Sequence, residues 1–355
     1  MKRLEALRSK FHEYEIDSLL ITSSPNRQYM THFSGTAGVA LISETKAIFI
    51  TDFRYMEQAK EQVKGYEVVQ QTGNIIEEVA RQAEKLGLRK LGFEETLSFG
   101  EYKQYSKSIE SAKLIPVSGL IEEIRLIKDD HEIKLIQDAA DIADAAFAHI
   151  ITYIRPGITE LDVSNELEFF MRKQGATGSC FDIIVASGHR SALPHGVASD
   201  KMIEKGELVT LDFGAYYKGY CSDITRTVAV VQVNDKLKEI YDTVLQAQLL
   251  GMNGIKAGMT GKQADALTRD YITEKGYGDY FGHSTGHGLG KEVHEGPTLS
   301  VNSNTVLEPG MVVTVEPGIY ISGVGGTRIE DDILITADGN KSFTHSTKEL
   351  LIIGE

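Results

Sequence analysis

Cysteine is nearly absent from this chain: its 355 residues include two, Cys180 and Cys221, with no metal-type spacing between them. That excludes a disulfide framework and a sulfur-rich structural zinc, and it fits a reducing compartment. Long hydrophobic runs are missing as well, since no stretch approaches the ~20 apolar residues needed to cross a bilayer. The opening residues Met1-Lys2-Arg3-Leu4-Glu5-Ala6-Leu7-Arg8 are charged throughout, so no secretory signal is read there and the expected location is cytoplasmic. Nor is there a basic excess: 37 Lys and Arg stand against 51 Asp and Glu, a net charge of −14. Nucleic acid and anionic membrane are set aside as partners, because phosphate binding needs a positive field.

What is present is an ordinary globular composition, 41% hydrophobic and 25% charged, on a chain longer than one core usually supports. Two domains are expected. Residues 1–124 alternate helical and strand-like segments, an α/β pattern with its own core. Leu4, Leu7, Phe11 and Tyr14 recur at helical spacing, and strands are read at 16–22, 39–42, 47–51 and 90–93. No catalytic constellation falls here; Asp52 and Arg54 are read as an ion pair at a strand end. The boundary is placed in Ile124-Arg125-Leu126-Ile127-Lys128-Asp129-Asp130, which leads into residues 125–355. There a long helix over 131–154 is followed by Gly157-Ile158-Thr159 and a second helix. A third helix near 236–255 is followed by Gly258-Met259-Thr260 and a fourth. Thr159 and Thr260 are candidate caps, and the matching order hints at internal duplication.

The chemistry gathers in five short segments: Asp212 in Leu211-Asp212-Phe213-Gly214, Asp223 in Ser222-Asp223-Ile224-Thr225-Arg226, His287 in Gly286-His287-Gly288-Leu289-Gly290, Glu316 in Val315-Glu316-Pro317-Gly318 and Glu330 in Arg328-Ile329-Glu330-Asp331. Alone, each reads as a turn or strand-end residue. Together, four carboxylates and one imidazole exceed a mononuclear zinc site and suit two divalent ions bridged by carboxylates. Strands over 208–213 and 224–233, joined by a loop at 214–220, bring Asp212 and Asp223 side by side. A second pair, 311–320 with 328–336, turns around Gly323-Val324-Gly325-Gly326 and sets Arg328 on the face of Glu330, where it can hold a site carboxylate. Cys221, two residues before Asp223, is read as a small buried strand residue. His195, His283, His287 and His294 concentrate four of the ten histidines in glycine-flanked loops. The glycines at 282–290 do not make a phosphate loop, because Lys291 stands where a dinucleotide motif needs glycine and no Gly-Lys-Ser/Thr follows.

These motifs, in the order Asp, Asp, His, Glu, Glu, resemble the pita-bread metallopeptidases, a family that includes methionine aminopeptidase, aminopeptidase P, prolidase and creatinase. Thr327-Arg328-Ile329-Glu330-Asp331 resembles the proline-specific branch, as do 15–22 and 26–31 in the first domain. The resemblance spans essentially the whole chain and implies an α/β N-terminal domain plus an α+β pita-bread catalytic domain. It implies that Asp212 binds one ion, that Asp223 and Glu330 bridge both, and that His287 and Glu316 complete the other. Glu316 is then the proton shuttle, His195 and His294 stabilise the oxyanion and orient substrate, and His283 lines the proline pocket. Mn²⁺ is the expected metal, with Co²⁺ or Zn²⁺ able to substitute. The expected partners are small peptides with proline second and, as in relatives, a second copy of the chain in a homodimer.

Two rivals are weighed. A binding protein reusing the fold without catalysis would be signalled by a lost ligand, and none is lost. Between aminopeptidase P and the dipeptidase, one residue decides the lean. Some prolidases carry an arginine directly after His-Glu-Xaa-Pro; here His294-Glu295-Gly296-Pro297 is followed by Thr298. A neutral hydroxyl leaves the exit side open for a longer chain, so the sequence reading leans to Xaa-Pro aminopeptidase.

Overall fold

A computed structural model describes residues 2–354. It divides into two compact units, one ending at Arg125 and the other beginning at Leu126.

The first unit is built on a six-stranded sheet in the order Glu67–Gln70, Ala47–Thr51, Val39–Ser43, Ser18–Ile21, Lys90–Glu94, Lys113–Val117. The central strands are buried on both faces, so alternate residues feed two cores. Leu19, Ile21, Ala40, Ile42 and Phe49 pack with Leu4, Leu7 and Leu120 on one side. Leu20, Leu41, Ile48, Ile50 and Leu91 pack with Val79, Ala83 and Tyr105 on the other. The first helix stops at Lys10, short of the spacing that included Phe11 and Tyr14; a turn with Glu15 at φ 53° ends it. Asp52 and Arg54 form the expected ion pair, 2.7 Å apart at the surface.

The second unit opens with Asp130–Ile150, started by a capping box between Asp129 and Glu132, then Glu160–Lys173, capped by Thr159 with Asp162. Asp235–Gly254 and Gly261–Glu274, the latter capped by Thr260 with Gln263, repeat the arrangement. The matching Gly-Ile/Met-Thr segments make matching backbone contacts. Gly157 N–H donates to Ile203 and Gly258 N–H to Leu307; in return Ile203 N–H donates to Ile158 and Leu307 N–H to Met259. Each helix pair is thus stapled by the same short antiparallel contact.

The second unit also holds a four-stranded sheet (Ile352–Ile353, Ile224–Val230, Leu208–Phe213, Ile184–Ser187) and a five-stranded one (Glu295–Leu299, Gly286–Gly288, Val312–Val315, Asp331–Ile335, Asn340–Ser342). The hairpin expected for 208–213 and 224–233 is present, with Phe213 opposite Ile224 and Leu208 opposite Ala229. Its connection is not a plain loop: Ala215–Tyr217 pairs with Tyr220–Cys221 on one side and with Gly178–Ser179 on the other. The second expected hairpin is broken in both arms. Val312–Val315 pairs with Asp331–Ile335, and Gly318–Ile321 with Gly325–Arg328. Glu316-Pro317 and Ile329-Glu330 fall in the two breaks. Proline cannot donate to a ladder, so the chain interrupts its pairing there.

Candidate metal centre

Each of the five candidate ligands stands where a strand starts, stops or is squeezed. Asp212 sits near the end of Leu208–Phe213, facing Thr225 across the pair. Asp223 immediately precedes Ile224–Val230, and its N–H donates to Asp332 Oδ2 at 2.8 Å. Glu316 and Glu330 occupy the breaks just described, with N–H groups given to Thr285 and Thr225 at 2.8 and 3.1 Å. His287 is the middle residue of Gly286–Gly288. Its flanking glycines are there because neighbouring strands press in: a Cβ at Gly286 would lie 2.0 Å from the Thr314 carbonyl oxygen, and one at Gly288 1.9 Å from that of Gly296.

All nine residues singled out from the sequence line one cavity of about 720 Å³: Asp212, Asp223, His287, Glu316 and Glu330, together with His195, His283, His294 and Arg328. Phe181, Ile184, Val197 and Val293 contribute apolar wall, and Thr298 faces it from the residue opposite His287 in the strand pairing.

The donor set fits divalent cations. Oxygen or nitrogen atoms of Asp223, His287 and Glu330 lie within 4.8 Å of one another. His287 Nε2 is 3.3 Å from Glu316 Oε1 and 3.8 Å from Asp223 Oδ2. Its Nδ1 lies 3.1 Å from the Gly288 carbonyl, which can only accept, so Nδ1 carries the proton and Nε2 presents a lone pair to the carboxylates. Burial holds this imidazole at about 4, which keeps it neutral. Buried Oδ1 atoms of Asp212 and Asp223 have no hydrogen-bond partner among the described residues. Burial, then the neighbouring carboxylates, raise Asp223 and Glu330 well above the ordinary range. Burial raises Glu316 to about 8, with Arg328 opposing and Asp212 adding to the rise. Acids packed so closely ionise together only with positive charge between them.

Arg328 does not hold Glu330, the first partner expected from shared strand parity. The break at Ile329-Glu330 resets that parity, and the guanidinium instead pairs with Asp212 Oδ2. Arg328 also donates to Tyr320 at 2.7 Å, to Thr225 at 3.1 Å and to the Pro194 carbonyl at 3.2 Å. Glu330 is held by the Thr225 hydroxyl at 2.5 Å.

The three remaining histidines differ. His283 gives its Nδ1 proton to the Ser284 carbonyl at 2.8 Å, so Nε2 accepts from Tyr320 at 2.9 Å. Both nitrogens are committed, and His283 lines the cavity. His294 meets the His287 ring edge-on, centroids 4.3 Å apart. Neither His195 nor His294 makes a side-chain hydrogen bond among the described residues, which leaves both free for a substrate. Sequence reasoning missed Thr225, Tyr320 and Asp332. Thr225 alone carried a signal, since it shares strand parity with Asp223.

Comparison with known proteins agrees with this geometry. The model of metallopeptidase family M24 matches residues 134–337, and that of the creatinase/prolidase N-terminal domain matches residues 3–127. A solved structure of an Xaa-Pro dipeptidase from Bacillus anthracis is 66% identical, covers 99% of both chains and superposes with a TM-score of 0.98. An Xaa-Pro dipeptidase of Pyrococcus horikoshii is 43% identical over 95% of each chain. The crystal structure of an X-Pro aminopeptidase from Thermotoga maritima is 39% identical, covers 97% of this chain and 100% of that one, and gives a TM-score of 0.91. With matches of this extent on both units and nine site residues around one cavity, the chain belongs to metallopeptidase family M24, an enzyme of the pita-bread fold.

Proposed function

We propose that this enzyme is a dinuclear metal-dependent Xaa-Pro dipeptidase, with residues 125–355 as the catalytic domain. The observation that carries the reading is the convergence of four carboxylates and the neutral His287 on one cavity, with orphaned oxygens on Asp212 and Asp223. Asp212, Asp223, His287, Glu316 and Glu330 would hold two ions, and the oxygen-rich set suits Mn²⁺. Bound there, divalent cations supply Lewis acidity and lower the pKa of water.

The protein's own residues supply the rest. Glu316 takes the proton of the attacking water and returns it to the prolyl nitrogen. His195 and His294, with uncommitted ring nitrogens, donate to the developing oxyanion and orient the peptide. His283 offers ring surface to the proline, and Arg328 fixes Asp212. An Xaa-Pro bond is a tertiary amide without an N–H, so a site that works on the carbonyl and the ring suits it.

The neutral Thr298 favoured an aminopeptidase, but that lean gains no support from the comparisons. The relatives at 66% and 43% identity are named Xaa-Pro dipeptidases, and the X-Pro aminopeptidase stands lower, at 39%. The deciding measurement is kcat/KM for Xaa-Pro against Xaa-Pro-Yaa with Mn²⁺-loaded protein. A preference of tenfold or more for the dipeptide, about 1.4 kcal/mol in transition-state binding, is expected. A preference for the tripeptide would return the assignment to aminopeptidase.

A further inference from the structure

Between the short turn Gly278–Tyr280 and the strand Gly286–Gly288 the chain runs without regular structure, and this loop carries His283. Backbone groups in such a segment need partners from elsewhere. Two residues one turn apart on the helix Gly261–Glu274 provide them. Arg269 Nη1 donates to the Phe281 carbonyl at 3.0 Å and Nη2 to the His283 carbonyl at 2.6 Å. Its guanidinium lies 4.3 Å over the Phe281 ring, which meets His283 edge-on with centroids 5.1 Å apart. Asp265, 1% exposed, grips the guanidinium at Nε (2.6 Å) and Nη2 (2.8 Å). Its Oδ1 also accepts from the Thr285 N–H at 3.0 Å and hydroxyl at 2.8 Å. Neither residue lines the cavity.

We propose that Arg269 is a positioning residue that acts on the substrate only through His283. By taking the carbonyls at 281 and 283 and stacking on Phe281, it sets the loop so that the imidazole gives Nδ1–H to Ser284 and accepts at Nε2 from Tyr320. Only a planar fork can serve Asp265 and two carbonyls at once; a lysine keeps the charge and loses the geometry. The role rests on the reading above in which His283 lines the substrate pocket.

The test uses Arg269→Lys, which leaves Asp265 a cationic partner, and Arg269→Ala combined with Asp265→Asn, which leaves no buried charge unpaired. In Zn²⁺-loaded, ¹⁵N-histidine-labelled protein, with His283 assigned by His283→Gln, the wild type should show one fixed Nδ1–H tautomer. Both variants should move that signal towards the tautomer-averaged position, with metal content unchanged. In kinetics on Xaa-Pro, Arg269→Lys should lose roughly tenfold in kcat/KM, mostly in KM, and nothing further in a His283→Gln background. An unmoved His283 signal, or losses that add, would overturn the proposal. Wild-type protein that cleaves no Xaa-Pro peptide sinks the functional reading instead, and the histidine spectra still decide the positioning.

Discussion

Arg328 and Asp212 form a buried ion pair in which the guanidinium takes one carboxylate oxygen and leaves Oδ1 without a partner among the described residues. A side chain held at one oxygen and open at the other is oriented and still available. Arg328 is in turn fixed by Thr225, Tyr320 and the Pro194 carbonyl, so Asp212 has little freedom to turn away. Arg328→Ala should therefore weaken metal affinity or activity by roughly 10- to 100-fold, as loss of a ligand's supporting partner usually does. Titration calorimetry of the chelated variant with Mn²⁺ measures it. Unchanged affinity and rate would reduce Arg328 to a strand residue.

Metal dependence should carry a pH signature in stability. Burial holds Glu316 at about 8 in the fold, against 4.5 ordinarily, so the folded chain keeps a proton that the unfolded chain has released. Its stabilising contribution is therefore lost as pH rises through about 8. Asp223 and Glu330 are raised too and act in the same direction. His283 and His287, lowered by burial to about 4, have the opposite sign, but their contribution is complete once pH exceeds 6.5. Between pH 6.5 and about 8, Tm of chelated protein should fall, while Tm of Mn²⁺-loaded protein should stay nearly level. Cation binding should release protons and tighten with pH over the same window. Chelation should abolish turnover and Mn²⁺ restore it; full turnover by metal-assayed, chelated protein would defeat the dinuclear reading.

Glu316→Gln keeps the side-chain size and one oxygen but removes the base. A fall in kcat of ~10² or more is expected, with Tm of the loaded protein changing far less. If turnover persists within a few-fold while metal content is intact, the proton shuttle lies elsewhere.

Much of this site was legible in the sequence because its residues sit in short, locally distinctive segments. A run of apolar and β-branched residues placed Asp212 in a strand, and the glycines around His287 set it in a distinctive segment, though not as the close approach of strands that they serve. Partners set by tertiary geometry were not legible. Strand parity paired Arg328 with Glu330, yet the breaks at Glu316-Pro317 and Ile329-Glu330 shift the phase, and Arg328 meets a residue 116 positions away in the chain. The helix-to-loop contacts of Arg269 left no periodic trace either. In the fold, helix bounds were read to within a few residues because caps such as Thr159 and Thr260 are local signals. The short strand at 215–217, and Tyr220 of the one at 220–221, were read as loop because neither strand is long enough to show a period.

Thr225→Val tests a contact that the sequence did not disclose. The hydroxyl donates to Glu330 Oε2 and accepts from Arg328 Nε, joining two site groups. Valine conserves the shape and removes both bonds, so loss of metal affinity should exceed loss of thermal stability. Equal affinity in the variant would show that Glu330 is held by its backbone alone.

Thr298 bears on how an Xaa-Pro dipeptidase ends its substrate. The residue lines the cavity as the cross-strand neighbour of His287, and Arg328 is the one Lys or Arg among the lining residues, already committed to Asp212, Tyr320 and Pro194. The lining residues therefore offer a prolyl carboxylate no uncommitted guanidinium or ammonium, and the ring nitrogens of His195 and His294 are among the polar groups that remain. Thr298→Arg adds a planar cationic donor at that wall. A charge-assisted hydrogen bond in such a place contributes about 1.5–3 kcal/mol at most, less what the carboxylate's lost hydration costs. The ratio of kcat/KM for Xaa-Pro over Xaa-Pro-Yaa should accordingly rise by roughly 3- to 10-fold, chiefly through a lower KM for the dipeptide, and the gain should shrink at high salt. The five candidate ligands, Glu316 among them, are untouched, so kcat with the dipeptide should hold within about twofold. If the ratio does not move, the prolyl carboxylate does not lie against residue 298, and the exit side of the cavity must be sought along another wall.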